Sequence, residues 1–234
     1  MIESILFEPR IIIALSMLAV ASFMDLKKRE VHDMVWIAFG SAGALMYVIQ
    51  PIQNLNLFPL IFGSAVTLVI AYLAYRMGLF GGADALALVA LVVIIPSYDG
   101  TNMFHGIAPM TILTNAAILA SLSVVANVVR NAVSIARGVP LFAGFEESGS
   151  KKILAFILGY KASRPAFAYQ IEVQAASGKK FDFSLKHAEN SDYCTKPGSW
   201  VMSGLPFIVY MLGGLVSMVL VGDIMMLLLT RFLG

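Results

Sequence analysis

FEPRIIIALSMLAVASFMDLKKRE, residues 7–30, decides the fold. An apolar run reaches Met24 and stops at dense charge from Asp25 to Glu30. A membrane-spanning helix needs about 20 mostly apolar residues, and 7–24 reads as one. It has no basic leader and no small-residue cleavage site, so it reads as a retained span and not as a secretory signal. Five further runs follow: 34–49, closed by Gln50-Pro51; 58–75, closed by Arg76; 77–95, ending at Ile95-Pro96; 107–129; and 200–229. The expected fold class is an all-α six-transmembrane-helix bundle with a small α+β insertion. Residues 1–130 would hold spans one to five, 131–199 the soluble insertion and 200–234 the sixth span. No internal repeat or low-complexity tract interrupts this plan.

Composition agrees. Of 234 residues, 59% are hydrophobic and 13% charged, with a mean hydropathy of +0.84. Soluble domains carry about 25% charged residues, so disorder is excluded and the composition argues against an ordinary soluble enzyme. A net charge of +2 gives no reason to expect nucleic acid as a partner. The single Cys194 excludes an internal disulfide framework and a paired-cysteine zinc site. Basic residues mark the cytoplasmic side of a membrane protein. Lys27, Lys28, Arg29, Arg76 and the basic residues of 130–199 make up 14 of the 16, leaving Arg10 and Arg231 opposite. The expectation is a multi-pass protein of the cell membrane, its insertion cytoplasmic and both termini outside.

Within the insertion, Ser148 to Ser150 offer capping hydroxyls before Ile153-Leu154-Ala155-Phe156, which predicts a short helix. Tyr169, Ile171 and Val173 alternate within 168–175, as do Phe181, Phe183 and Leu185. Ser177-Gly178-Lys179 lies between the runs, and together they predict a β-hairpin. There is no Gly-rich phosphate loop. His187 and Cys194 lack a second pair at metal-ligand spacing, so they read as loop residues, with no metal or cofactor expected.

Carboxylates in an apolar chain are expensive, and each is a site hypothesis. Three qualify: Asp25, Asp84 and Asp223. With span one running inward, Asp25 falls at its cytoplasmic end. Span four starts inside, and a helix from Met77 would put Asp84 roughly 10 Å deep at 1.5 Å per residue. Asp223 lies about 34 Å beyond Trp200 if the last span is helical throughout, near the outer face. Asp25 and Asp84 can therefore meet. Two carboxylates sharing a water are the machinery of aspartic proteolysis, one ionised as general base and one protonated to polarise the scissile carbonyl. Before Asp84, Gly78, Gly81 and Gly82 disfavour regular helix. Unwound backbone there would admit water and substrate; the same glycines equally suit tight helix packing.

Gly81-Gly82-Ala83-Asp84 resembles the motif of the GxGD-type intramembrane aspartyl proteases, in their archaeal preflagellin peptidase form, where a hydrophobic residue can replace the third-position glycine. Asp25, Arg29, Val31 and Asp33 are similar to that family's first motif. Pro197-Gly198, Trp200, Gly204, Pro206, Phe207 and Gly222-Asp223 are similar to its last span. The resemblance implies a type IV prepilin peptidase-like enzyme that removes a short basic leader from preflagellin or prepilin-like subunits. It implies Asp25 and Asp84 as the catalytic pair, with Gly81, Gly82 and Ala83 supporting the second aspartate. The cysteine-rich zinc segment that many bacterial prepilin peptidases carry is missing, which lowers the expectation of a coupled N-methyltransferase.

Lys27, Lys28 and Arg29 read as topology determinants. Glu30 and Asp33 are candidates for attracting the basic leader. Asp223 reads as a hydrogen-bond acceptor in the bundle or a cap at the outer interface. His32 and His105 need no special role, and Trp36 and Trp200 read as boundary aromatics. A different class stays open: a small proton-coupled transporter using the three aspartates as a relay, for which paired broken helices and a repeat would be the signs. A structural assembly subunit would not need two acids at matched depth.

Overall fold

The computed structural model describes residues 8–49, 57–98, 100, 102–103, 106–175, 178–184 and 192–233, without the side chains of 57–59 and 233. His105, Ser177, Leu185 and His187 lie outside the described residues. The chain divides into two compact units, one of Met1–Leu119 with Pro206–Gly234 and one of Ala120–Leu205.

The first unit is helical: α1 (Pro9–Lys28), α2 (Asp33–Ile49), α3 (Leu57–Arg76), α4 (Gly82–Ile94), the start of α5 (Ala108–Ala136), α7 (Phe207–Val221) and α8 (Ile224–Leu233). Pro9 opens α1, where a missing N–H costs nothing. Lys27 and Lys28 close it, favourable against the C-terminal dipole. Its buried residues Ile11, Ala14, Leu18, Ala21 and Ser22 repeat at helical spacing. On α4 the same spacing buries Ala87, Leu88, Leu91 and Ile94. α4 packs against α1, α2, α3 and α7. Gly43 lets α2 close on α4, since a Cβ there would sit 2.6 Å from Ile94 Cγ1.

Length divides the helices into two groups. α1 and α5 are long and apolar enough to cross a membrane, and α7 with α8 makes a third crossing if their 56° bend is one broken span. α2 and α4 have 17 and 13 residues, about 25 and 20 Å at 1.5 Å per residue, against a hydrocarbon thickness of about 30 Å. The described helices thus give two or three crossings by length. The fourth run falls short because residues 77–81 are not helical and α4 begins only at Gly82.

The second unit holds the end of α5, helix α6 (Gly149–Leu158) and strands β1 (Tyr160–Ala162), β2 (Ala168–Gln170), β3 (Glu172–Ala175), β4 (Gly178–Phe181) and β5 (Ser199–Ser203). Ser148 caps α6 as expected, its Oγ accepting from Lys151 N–H. β3 and β4 form a hairpin, pairing Glu172 with Phe181 and Ala175 with Gly178, but its second strand is 178–181: Gly178 and Lys179, expected in the turn, belong to the strand, and Phe183 lies beyond it. The run 168–175 is not one strand, however. It breaks at Ile171, and β2 joins β1 and β5 in the order β1-β5-β2. Ile171 N–H donates to Trp200 O while its own carbonyl accepts from Asp182 N–H, so the chain changes partners at that residue.

Trp200 is a further correction. It does not open a membrane span at the boundary; it lies in β5, fully buried among Leu141, Phe145, Ala155, Ile171 and Phe181. Its Nε1–H donates to Leu141 O at 3.1 Å, and its ring stacks on Phe142. The last apolar helix starts only at Phe207.

Candidate active site: two aspartates at one end of the helical unit

Arg10 Nη1 donates to Ile94 O at 3.2 Å. The start of α1 therefore meets the end of α4, and the two helices run antiparallel. Asp25 is in the last turns of α1 and Asp84 in the first turn of α4. Both carboxylates consequently lie at the same end of this unit. Each continues a buried stripe: Asp25 follows Leu18, Ala21 and Ser22 at helical spacing, and Asp84 precedes Ala87, Leu88 and Leu91. Both are half-buried. Arg10, buried beneath the Tyr47 ring, satisfies a carbonyl that the end of α4 would otherwise leave open.

The two aspartates are held differently. Asp25 Oδ2 lies 3.9 Å from Arg29 Nη1, with side-chain exposures of 14% and 15%. Arg29 ends α1 in the left-handed conformation, φ 59° and ψ 24°, its N–H donating to Asp25 O. That conformation costs a non-glycine residue roughly 1–2 kcal/mol. It turns the chain sharply while the side chain returns to the carboxylate one turn back. The sequence reading gave Arg29 a topological role and a place in the resembled motif, but no bond to Asp25; the four-residue spacing was the available signal.

Asp84 stands only two residues into α4, not seven residues deep in a helix from Met77. Gly78 adopts φ 71°, which suits glycine and helps to unwind the approach. Asp84 Oδ2 accepts the Gly81 N–H at 3.0 Å, tying the carboxylate to the N-cap. Phe80 stacks on Phe207 with ring centroids 5.0 Å apart, which pins the loop to the start of α7. Gly81 itself is not strained: a Cβ there would meet Asp84 Oδ2 at 3.5 Å, an ordinary contact.

Glu30 is exposed, as is Asp33 at the first position of α2. His32 Nδ1 accepts from Met34 N–H. Trp36 is buried near the start of α2. Asp223 belongs elsewhere. It is buried, and its Oδ1 accepts the N–H groups of Met225 and Met226 at 2.9 and 3.3 Å, capping α8. Asn115 secures the same break, Nδ2 donating to Gly222 O and Oδ1 accepting from Ile224 N–H. Asp223 is thus a cap where the last helix bends.

Among the described residues no three of His, Cys, Asp and Glu cluster as metal ligands. Cys194 is buried in the second unit, its Sγ near Gln170 Oε1 and Lys196 O.

Helices long and apolar enough to cross a membrane, with two half-buried aspartates at helix ends, are the features of a membrane protein. Residues 12–125, which hold both Asp25 and Asp84, match the Type IV leader peptidase family. The chain is also similar to a preflagellin peptidase of Methanococcus voltae, 34% identical over 84 residues, 35% of this chain and 36% of that protein. The match thus spans about a third of that relative's length.

Proposed function

We propose that this protein is a membrane-embedded aspartic endopeptidase that cleaves the short leader from preflagellin or prepilin-like subunits at the cytoplasmic face. The observation that carries the reading is the placement of Asp25 and Asp84 at one end of antiparallel α1 and α4, inside the segment that matches the family. The ionised carboxylate takes a proton from water as its oxygen attacks the scissile carbonyl carbon. The protonated one donates to the carbonyl oxygen; on collapse of the tetrahedral species it takes that proton back, while the first carboxyl passes the water's proton to the nitrogen as the C–N bond breaks. Unwound backbone at 77–81 supports access for an extended substrate.

In this reading the chain crosses the membrane six times, with local bilayer thinning accommodating the short helices. Basic residues place 131–199 and the Asp25 end in the cytoplasm, with both termini outside. Glu30 and Asp33, exposed beside the end of α1, attract the basic leader.

The test is cleavage of a preflagellin in membranes carrying Asp25→Asn, Asp84→Asn or Asp223→Asn. The first two should lose at least about 10²-fold in rate, the scale of one general acid or base. Asp223→Asn should retain most activity. Full activity in Asp25→Asn or Asp84→Asn would overturn the assignment.

A further inference from the structure

Helix α6 has an outward face that the described residues of its own unit leave largely open. Ala155 is buried and Phe156 packs on the aromatic cluster, whereas Ile153 is 62% and Leu154 40% exposed. Ile157, one turn beyond Ile153, is only part-buried and falls on the same side. Three large aliphatic residues on one outward face of a ten-residue helix suit an apolar surface better than water.

The position of α6 along α5 identifies that surface. Asn127 Nδ2 donates to Leu158 O at 3.1 Å, and Asn131 Nδ2 donates to Phe156 O and Gly159 O, both at 2.8 Å. These bonds fill carbonyls that a helix end leaves open and lock the end of α6 to one level of α5. α5 has 29 residues, more than a crossing needs. Counting about 20 residues for a crossing, one that starts at Ala108 ends near Asn127. The locked end of α6 therefore sits where hydrocarbon gives way to headgroups. Exposed Leu122 and Val125 carry the lipid-type surface of α5 up to this level, and exposed Val129 and Val133 follow in the interface beyond it. Arg130 lies over the Tyr160 ring at 4.1 Å, and Lys161 follows in β1, exposed. They put positive charge at headgroup depth, complementary to anionic phospholipid.

We infer that α6 is an interfacial helix whose occupant is the lipid bilayer. Ile153, Leu154 and Ile157 enter the acyl–headgroup boundary, and Arg130 and Lys161 hold anionic phosphates. The insertion is thereby attached to the membrane surface as well as tethered by its chain ends.

The experiment uses the full chain in vesicles of phosphatidylcholine with a minority of phosphatidylglycerol. Ile153→Cys, in a Cys194→Ser background, is labelled with a small fluorophore, and Leu154→Cys serves as an independent second site. Iodide quenching should be several-fold weaker than for the same label on free cysteine, and doxyl-labelled lipid should quench strongly. Iodide quenching equal to free cysteine would overturn the inference. So would shielding from both quenchers, which would mean a protein partner or a second copy covers the face. Lipid quenching should fall in pure phosphatidylcholine; no change would overturn the anionic-headgroup part.

Discussion

The two units bury carboxylates in different ways. In the insertion, Glu172 is buried with both oxygens occupied: Oε2 accepts from Trp200 N–H at 3.0 Å and Oε1 lies 3.4 Å from Lys179 Nζ. It bridges β3 to β5 and β4, a structural use of charge. In the helical unit, Asp25 and Asp84 are only half-buried, and they sit at helix ends beside a sharp turn and an unwound loop. Asp223, in the same unit, resembles Glu172: buried and spent on capping backbone N–H groups. Burial alone therefore does not mark a reactive acid. The proposed pair differs in standing at the end of a buried stripe beside a turn or non-helical backbone.

The largest expected effect that sharpens this contrast is the loss of cleavage in Asp25→Asn and Asp84→Asn, at least about 10²-fold. A comparable loss in Asp223→Asn would erase the distinction. Next, Trp200→Ala should destabilise the insertion by about 3–5 kcal/mol through the lost aromatic core. Hydrogen exchange by mass spectrometry should then show faster exchange across residues 160–203 with α1 unchanged; loss of protection in α1 too would mean the units are not separately stable.

A smaller effect is expected at the α7–α8 break. Asp223→Ala removes an N-cap, about 1 kcal/mol. Exchange in residues 224–230 should speed up while cleavage persists. Unaltered protection there would contradict the cap.

Glu147 offers a pH test of the insertion. Its burial pushes the carboxyl up, but the Phe181 N–H and the Lys151 ammonium outweigh this and leave it below its ordinary value near 4.5. A lowered folded value gives stability that is present above the ordinary value and lost as pH falls through the folded one. Glu147→Gln should thus weaken the 148–181 region at neutral pH and converge with the parent protein in acid. Exchange rates measured across pH check it; a gap that widens in acid would reverse the sign.

The smallest effect concerns substrate. Neutralising Glu30 and Asp33 together should raise KM more than it lowers kcat. An unchanged KM would remove their role in leader attraction.

Much of this was legible along the chain because it is local chemistry. The Ser148 cap and the glycines before Asp84 each act over a few residues, and each appears where the sequence put it. Three features were not legible. Trp200 looked like a boundary aromatic because its cluster comes from residues 141–181. The strand 168–175 looked continuous because alternation cannot say that Ile171 changes partners. Asp223 looked ambiguous because the asparagine beside it, Asn115, lies 109 positions from Ile224.

The sequence alone determined that the chain is apolar, that its charge lies mainly between helices, that Asp25 closes an apolar run and that Asp84 falls within another. Those properties follow from residue type and spacing, which transfer free energies and helical periodicity translate directly. Only the tertiary structure decided which acids are committed to structural bonds, that Arg29 folds back on Asp25, and that α6 is locked to α5. Such choices depend on long-range hydrogen bonds and packing, and a partner distant in sequence leaves no local pattern.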